Sequence, residues 1–240
     1  MKPVYFISDL HLQAKTPEIT QAFFNFLKNT ASGAEALYLL GDVFEYWAGD
    51  DDAGADFNAQ VIQALRALSQ TGVAVYLMLG NRDFLIGAQF AQAAGVTLLE
   101  EPHLLTLDGQ DFVLQHGDAL CKDDVPYQQF RAMVRNPQWQ AGFLAKPLAE
   151  RKAIIEHLRQ QSEMGKQNKD AAIMDVNFEA VEKCFKAYPS ATLIHGHTHR
   201  PGKNLHDAGL GRICERWVLP DWHNKAVGLK FEHGALSFFE

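Results

Sequence analysis

The order of apolar runs predicts an α/β fold, with mixed sheets and helices packed outside them. Up to Gly95 the chain alternates short apolar runs with helix-periodic segments. Beyond it, apolar runs follow one another closely and recur at the chain's end. Five of the runs lead through Gly or Ser, or directly, into residues of metal-ligand type. In sheet proteins of this kind, sites gather beyond the carboxyl ends of strands.

Residues 4–8 form the first predicted strand, followed by Asp9-Leu10-His11. Thr16-Pro17-Glu18 starts a helix, with Thr16 as cap and Pro17 at the first position; Phe23, Phe24, Phe26 and Leu27 make its apolar face. Residues 36–40 are the second strand, leading to Gly41-Asp42-Val43-Phe44-Glu45. Residues 56–70 have helical spacing through Val61, Leu65 and Leu68, and Gly72 closes them. Residues 73–79 are the third strand, before Gly80-Asn81-Arg82-Asp83. A helix is expected over 84–94, ended by Gly95.

Residues 96–99, 104–107 and 111–115 then read as strands, the last two joined by an Asp108-Gly109 hairpin turn and followed by His116-Gly117-Asp118. From Cys121 to about Ala187 the pattern is helical, punctuated by Pro126, Pro137 and Pro147. Residues 191–194 are a strand that runs into His195-Gly196-His197-Thr198-His199. Residues 212–219, 226–232 and 235–239 are expected to finish the chain as antiparallel β, with Gly234 in the last turn. One domain spanning 1–240 is expected, with 121–187 as a helical insertion.

Composition narrows the function classes. A net charge of −7 argues against general nucleic-acid binding. It is uneven: 131–169 holds eight Lys/Arg and three acids, so the rest of the chain carries −12. Such a basic segment on an acidic protein points to an anionic substrate or surface. Three scattered cysteines fit a reducing compartment without disulfides. No apolar run near the motifs approaches a membrane span, and the N-terminus enters a strand at once rather than reading as a signal peptide.

The candidate metal ligands are Asp9, His11, Asp42, Asn81, His116, His197 and His199. Each alone is a weak signal, since Gly-Asp starts many turns and a lone His after a strand is usually structural. Their joint appearance after five apolar runs is what singles them out. His197 and His199 leave one face of an extended backbone and can address one ion or two neighbouring ions.

Asp9-x-His11, Gly41-Asp42-x-x-Glu45, Gly80-Asn81-Arg82-Asp83, His116-Gly117-Asp118 and Gly196-His197-x-His199 resemble the five motifs of the calcineurin-like metallophosphoesterases, in that family's order. The resemblance implies a β-sandwich flanked by helices and a two-ion site, usually manganese. By that likeness Asp9, His11 and His199 hold one ion, Asn81, His116 and His197 hold the other, and Asp42 bridges them. Carboxylate, imidazole and amide oxygen suit such an ion. Two ions about 3.5–4 Å apart clamp a phosphoryl group and generate hydroxide at neutral pH. Asp42, Asn81 and His116, with Arg82, are the implied catalytic residues.

Arg82 departs from many relatives, which carry His there to protonate an alkoxide leaving group. Arginine is not a useful general acid, but it grips phosphate oxygens bidentately. That change points away from monoesters toward a pyrophosphate bond. Added motifs at Asp123-Asp124-x-x-Tyr127-Gln128-x-Phe130-Arg131 and Ile173-Met174-Asp175-Val176-Asn177 resemble the branch of the family that cleaves a lipid-linked UDP-sugar in lipid A biosynthesis. That likeness implies a peripheral protein on the cytoplasmic face of a bacterial inner membrane. It places substrate contacts on Asn81, Arg82, Asp124, Ser162, Lys166, Lys169 and His197.

Trp139, Phe143, Leu144 and Leu148 beside Lys146, Arg151 and Lys152 fit a lid over acyl chains at an anionic membrane surface, or a helical pair packed on its own core. The five motifs lie outside the insertion, so a cation site built by the sandwich alone is expected. Another phosphoesterase on the same scaffold, acting on nucleotides or proteins, is the alternative. Leu219-Pro220-Asp221 stands where relatives usually have Gly, and the sequence offers no physical account of that Pro.

Overall fold

The computed structural model describes residues 2–166, 175–209 and 211–240, with side chains except those of 161–166. Its strands are β1 (Val4–Ile7), β2 (Ala36–Leu40), β3 (Ala74–Met78), β4 (Thr97–Leu99), β5 (His103–Leu107), β6 (Gln110–Gln115), β7 (Thr192–His195), β8 (Gly202–Asp207), β9 (Ile213–Val218), β10 (Gly228–Glu232) and β11 (Ala235–Phe239). The helices are α1 (Pro17–Asn29), α2 (Asp56–Gln70), α3 (Ala88–Ala94), α4 (Val125–Val134), α5 (Pro137–Leu144), α6 (Leu148–Lys166) and α7 (Phe178–Ala187).

Two sheets face each other. One has the order β11-β10-β1-β2-β3-β4, the other β5-β6-β7-β9-β8. In the first, β1 to β4 are parallel and β10 is antiparallel to β1. In the second, β6, β7 and β9 are parallel, while β5 and β8 close the edges antiparallel. The period-2 alternation of strand side chains sorts the core into layers. Val4, Phe6, Tyr38, Leu40 and Met78 meet Phe112, Leu114, Ile194 and Trp217 between the sheets. Tyr5, Ile7, Leu37 and Leu39 turn the other way, onto Phe23, Phe26, Val61 and Leu65 of α1 and α2. Val113, Leu193 and Cys214 cover the outer face of the second sheet against Val181 and Phe185 of α7. Each such buried Leu, Val or Phe is worth roughly 1.5–3 kcal/mol, so both sheet faces are strongly specified.

Most predicted elements form, with four differences. The helix expected over 84–94 begins at Ala88, because Phe84 to Ile86 turn inward around Asp83 and Asp50. Thr16 precedes α1 but gives no side-chain cap; its hydroxyl donates to the Gln13 carbonyl instead. The unpredicted β8 follows the His-rich loop, its face alternating between half-buried and exposed. The strand near 212–219 is not wholly antiparallel: β9 runs parallel to β7 and antiparallel only to β8. Asp108-Gly109 and His233-Gly234 both have positive φ, the signature of the tight hairpin turn expected there. All three cysteines are free and buried. No helix among the described residues is long and apolar enough to cross a membrane.

Candidate metal centre

The parallel strands β1, β2, β3, β6, β7 and β9 all end at one edge of the sandwich. Their exit loops carry Asp9 and His11, Asp42, Asn81, His116, His197 and His199, and Asp221, respectively. The backbone at these exits is unusual. Asp9, His11, Asp42, His197 and His199 all have φ between 50 and 68°, the left-handed region. A non-glycine residue there costs on the order of 1–3 kcal/mol, and such strain persists where the surroundings over-determine it. Only two other non-glycine residues share that conformation among the described residues, and both sit in hairpin turns.

Hydrogen bonds hold the strained loops. Asp9 accepts from the Ser8 hydroxyl at 2.5 Å and from the His197 backbone N–H at 2.9 Å. Asp83 accepts from Gly80 and Val43 N–H, both at 2.8 Å, stapling the β2 and β3 exits together. Burial, then the nearby Asp42 charge, push Asp83 up to about 6. The loops pack so closely that glycine is required. A Cβ on Gly80 would lie 2.1 Å from Asp42 Oδ1, and one on Gly196 would lie 2.2 Å from Asp9 Oδ2.

Ligand-type atoms converge inside this frame. Asp9 Oδ1 lies 3.4 Å from His199 Nε2 and 4.0 Å from His11 Nε2, and those two nitrogens are 3.5 Å apart. Asn81 Oδ1 lies 3.0 Å from His116 Nε2 and 2.8 Å from His197 Nδ1. Asp42 reaches both groups, with Oδ2 at 4.0 Å from His11 Nε2 and Oδ1 at 3.7 Å from His116 Nε2. Asp9, His11 and His199 form one cluster of metal-binding type, and Asp9, Asp42 and His116 another.

The donor set fits cations. Three imidazoles have Nδ1 facing an outer oxygen: His11 toward Glu45 at 3.0 Å, His199 toward Asp221 at 3.3 Å and His116 toward the Leu40 carbonyl at 2.8 Å. Each therefore turns Nε2 inward, the usual arrangement of metal-binding histidines. Asp9 Oδ1 is buried in their midst with no hydrogen-bond partner among the described residues, a costly state unless a charge completes it. In the cation-free protein the carboxylates hold protons on two of these imidazoles. Burial alone would depress His116, but Asp42, Asp9 and Asp118 outweigh it and raise it to about 9. Burial likewise opposes, and Asp221 and Asp9 overcome it, in raising His199 to about 10. For His197 burial dominates, with the His116 charge beside it, and lowers it to about 4.

Beside the cluster opens a cleft of about 390 Å³, with Glu45, Asn81 and Arg82 at its polar end. It is lined by Trp47, Phe84 and Leu85 from the strand-exit loops and by Tyr127, Phe130, Trp139, Phe143, Ile155 and Leu158 from the helical segment. Trp139 and Phe143 stack at 4.9 Å. Glu45 touches His11, Arg82 at 3.6 Å and Arg159 of α6, tying that helix to the cluster.

Residues 2–201 match the family described as calcineurin-like phosphoesterase. The chain belongs to that family. The UDP-2,3-diacylglucosamine hydrolase of Aromatoleum aromaticum is 52% identical over 227 residues, 95% of this chain and 92% of that protein. The hydrolases of the same name from Chromobacterium violaceum and Stenotrophomonas maltophilia are 51% and 47% identical, covering 94% and 97% of this chain and 92% and 96% of theirs.

In this phosphoesterase, then, all seven ligand candidates converge, and Arg82 joins them at the cleft. Asp124 is buried at the start of α4, where it accepts from Tyr127 N–H at 3.2 Å. Ser162 and Lys166 stand on the last turns of α6 with side chains outside the described residues, and Lys169 lies wholly outside them. The local positive charge is largely matched by the protein's own acids: Arg131 pairs with Asp118 and Glu101, Arg151 with Asp51, Lys152 with Asp52, Arg159 with Glu45 and Lys146 with Glu150. Sequence reasoning missed Glu45 and Asp221 as partners of His11 and His199. Glu45 had a signal, its place three residues after Asp42. Asp221 had the same signal as the ligands, its place just beyond a strand, hidden by reading β9 as antiparallel.

Proposed function

We propose that this phosphoesterase hydrolyses the pyrophosphate bond of UDP-2,3-diacylglucosamine, giving 2,3-diacylglucosamine 1-phosphate and UMP in lipid A biosynthesis, with two Mn²⁺ ions per chain. The observation that carries the reading is the junction of a seven-ligand cluster with an apolar cleft, with arginine rather than histidine at residue 82. Near-full-length identity of about half to hydrolases named for that substrate supports it.

Asp9, His11 and His199 are the residues to hold one cation, and Asn81, His116 and His197 the other. Asp42 is the residue to bridge them, since its two oxygens face the two groups. When bound, the pair supplies hydroxide at neutral pH and positive charge for the phosphoryl group, with the α phosphorus as the point of attack. Arg82 then holds phosphate oxygens beside the cluster, and Glu45 keeps its guanidinium aimed there. The leaving group is a phosphate, which departs without a general acid, so Arg82 suffices where relatives use His. Arg159 also faces the cleft, and its buried Nε has no hydrogen-bond partner among the described residues. An anionic headgroup would supply one.

The helical segment 121–187 serves as the lid of a single domain, its Trp139, Phe143 and Leu158 gripping acyl chain. Each buried methylene contributes roughly 0.8 kcal/mol, about fourfold in affinity. Remote binding of this kind also supports turnover by holding the pyrophosphate in line. Val125, Met133 and Leu144 stay exposed on the same helices. They offer an apolar contact to the anionic inner-membrane surface on its cytoplasmic side. Asp124 completes the substrate contacts that the resemblance assigns, with Ser162, Lys166 and Lys169, whose side chains lie outside the described residues.

The test is substrate preference. The enzyme should hydrolyse the diacylated UDP-sugar far faster than acyl-free UDP-glucosamine. Equal rates on both would remove the lid reading and favour a general nucleotide phosphoesterase.

A further inference from the structure

The helical segment does more than cover the cleft. α4 and its C-terminal cap present Tyr127, Arg131 and Arg135 at spacings of four, on one face of the helix. All three reach into the exit loops. Arg135 donates to the Gly80 carbonyl at 2.8 Å, directly before Asn81. Arg131 donates to Asp118 at 2.8 Å and to Glu101 at 3.0 Å, and the other Glu101 oxygen accepts from His116 N–H at 2.8 Å. The Tyr127 hydroxyl donates to Asp118 Oδ2 at 2.5 Å, and its ring lies on the His197 imidazole at 5.9 Å and 28°. The edge of His116 meets the same imidazole at 5.1 Å. His197 is thus fixed on its face by an aromatic ring whose hydroxyl is pinned to a buried carboxylate.

These contacts all fall on the Asn81, His116 and His197 group. The outer partners of the other group, Glu45 and Asp221, come from the exits of β2 and β9 instead. We propose that α4 is part of the frame of the second cation site and that Tyr127 is a positioning residue for His197. The ring sets the imidazole plane, and the Asp118 hydrogen bond sets the ring. This rests on the reading of His197 as a metal ligand. It departs from the expectation that the sandwich alone builds the site, because the helix that roofs the cleft also holds one of its two cation positions. Outer partners of this kind typically change metal affinity 10- to 100-fold when removed.

The test is calorimetric titration of metal-free full-length protein with Mn²⁺, for the parent, Tyr127→Phe and Tyr127→Leu. Tyr127→Phe keeps the ring and loses the tether; Tyr127→Leu loses both. The expected result is two binding steps in the parent. One step should weaken about tenfold in Tyr127→Phe and up to about 100-fold in Tyr127→Leu, while the other stays within twofold and the melting temperature holds. Both steps unchanged in both variants would make Tyr127 a cleft wall only and overturn the proposal. Both steps weakened together with a lowered melting temperature would make its role merely structural and overturn the proposal equally. A parent that lacks two steps would instead overturn the two-cation reading beneath it.

Discussion

Gly80→Ala alters no ligand, yet it should disable the site. An alanine Cβ there would lie 2.1 Å from Asp42 Oδ1 and 2.3 Å from Asp42 N, where ordinary contact begins near 3.4 Å. Something must move by more than 1 Å. The Asp42 backbone is held by Asp83, and Asp42 Oδ1 accepts from Arg82 N–H at 2.8 Å, so neither yields without disturbing the other loop. Overpacking of this kind costs about 1–3 kcal/mol, or roughly 2–12 °C in melting temperature at this chain length. Misplacing a catalytic group by 1 Å costs about 10²-fold in rate. Gly142 in α5 is the matched control: a Cβ there meets nothing within 4 Å, so Gly142→Ala should leave activity intact and stabilise by about 0.5–1 kcal/mol. The readouts are Mn²⁺ content, turnover and thermal melting of both variants. Gly80→Ala with parental metal content and activity within tenfold would refute the view that this backbone is a rigid wall behind Asp42.

Asp42→Asn should abolish activity with the fold retained, since Asp42 faces both groups; circular dichroism and turnover check this, and activity within tenfold of the parent would contradict it. Loading the metal-free protein with Mn²⁺ at pH 7.5 should release about two protons, because His116 and His199, raised to about 9 and 10, are protonated below those values and must deprotonate to bind. Affinity should therefore rise with pH and level off near 10, and titration in buffers of different ionisation enthalpy would expose a missing proton release. Replacing Phe143 and Leu144 with Ser should erase most of the preference for acylated substrate while Mn²⁺ content stays normal; a preference that survives would place the acyl chains elsewhere.

What was legible in the sequence is what periodicity and spacing encode. The central strands announced themselves because both of their faces are buried, so Val4 to Ile7 and Ala36 to Leu40 are continuous apolar runs. The ligands were legible because each follows such a run directly. Long-range partners were not. Nothing local in Asp221 shows that β9 lies parallel to β7, yet only that direction brings the residue to His199. Pro220 is explained no further by the structure. The cations of 131–169 read as a free basic surface because most of their acids, Asp51, Asp52, Glu45 and Glu101, lie far away in sequence. The left-handed backbone at Asp9, His11, Asp42, His197 and His199 carries only a weak signal: Asp and His enter that region more readily than most residue types, but most of them do not, and here the surrounding loops select it.

Hydrolysis of UDP-2,3-diacylglucosamine in ¹⁸O-water, with and without Mn²⁺ and with products resolved by mass spectrometry, reads out the bond cleaved, the phosphorus attacked and the need for the cation in one experiment. The expected products are labelled UMP and unlabelled 2,3-diacylglucosamine 1-phosphate, formed only with the cation present. Label in the sugar phosphate would reverse the direction of attack, and release of inorganic phosphate, or no reaction at all, would contradict cation-dependent cleavage of the pyrophosphate bond.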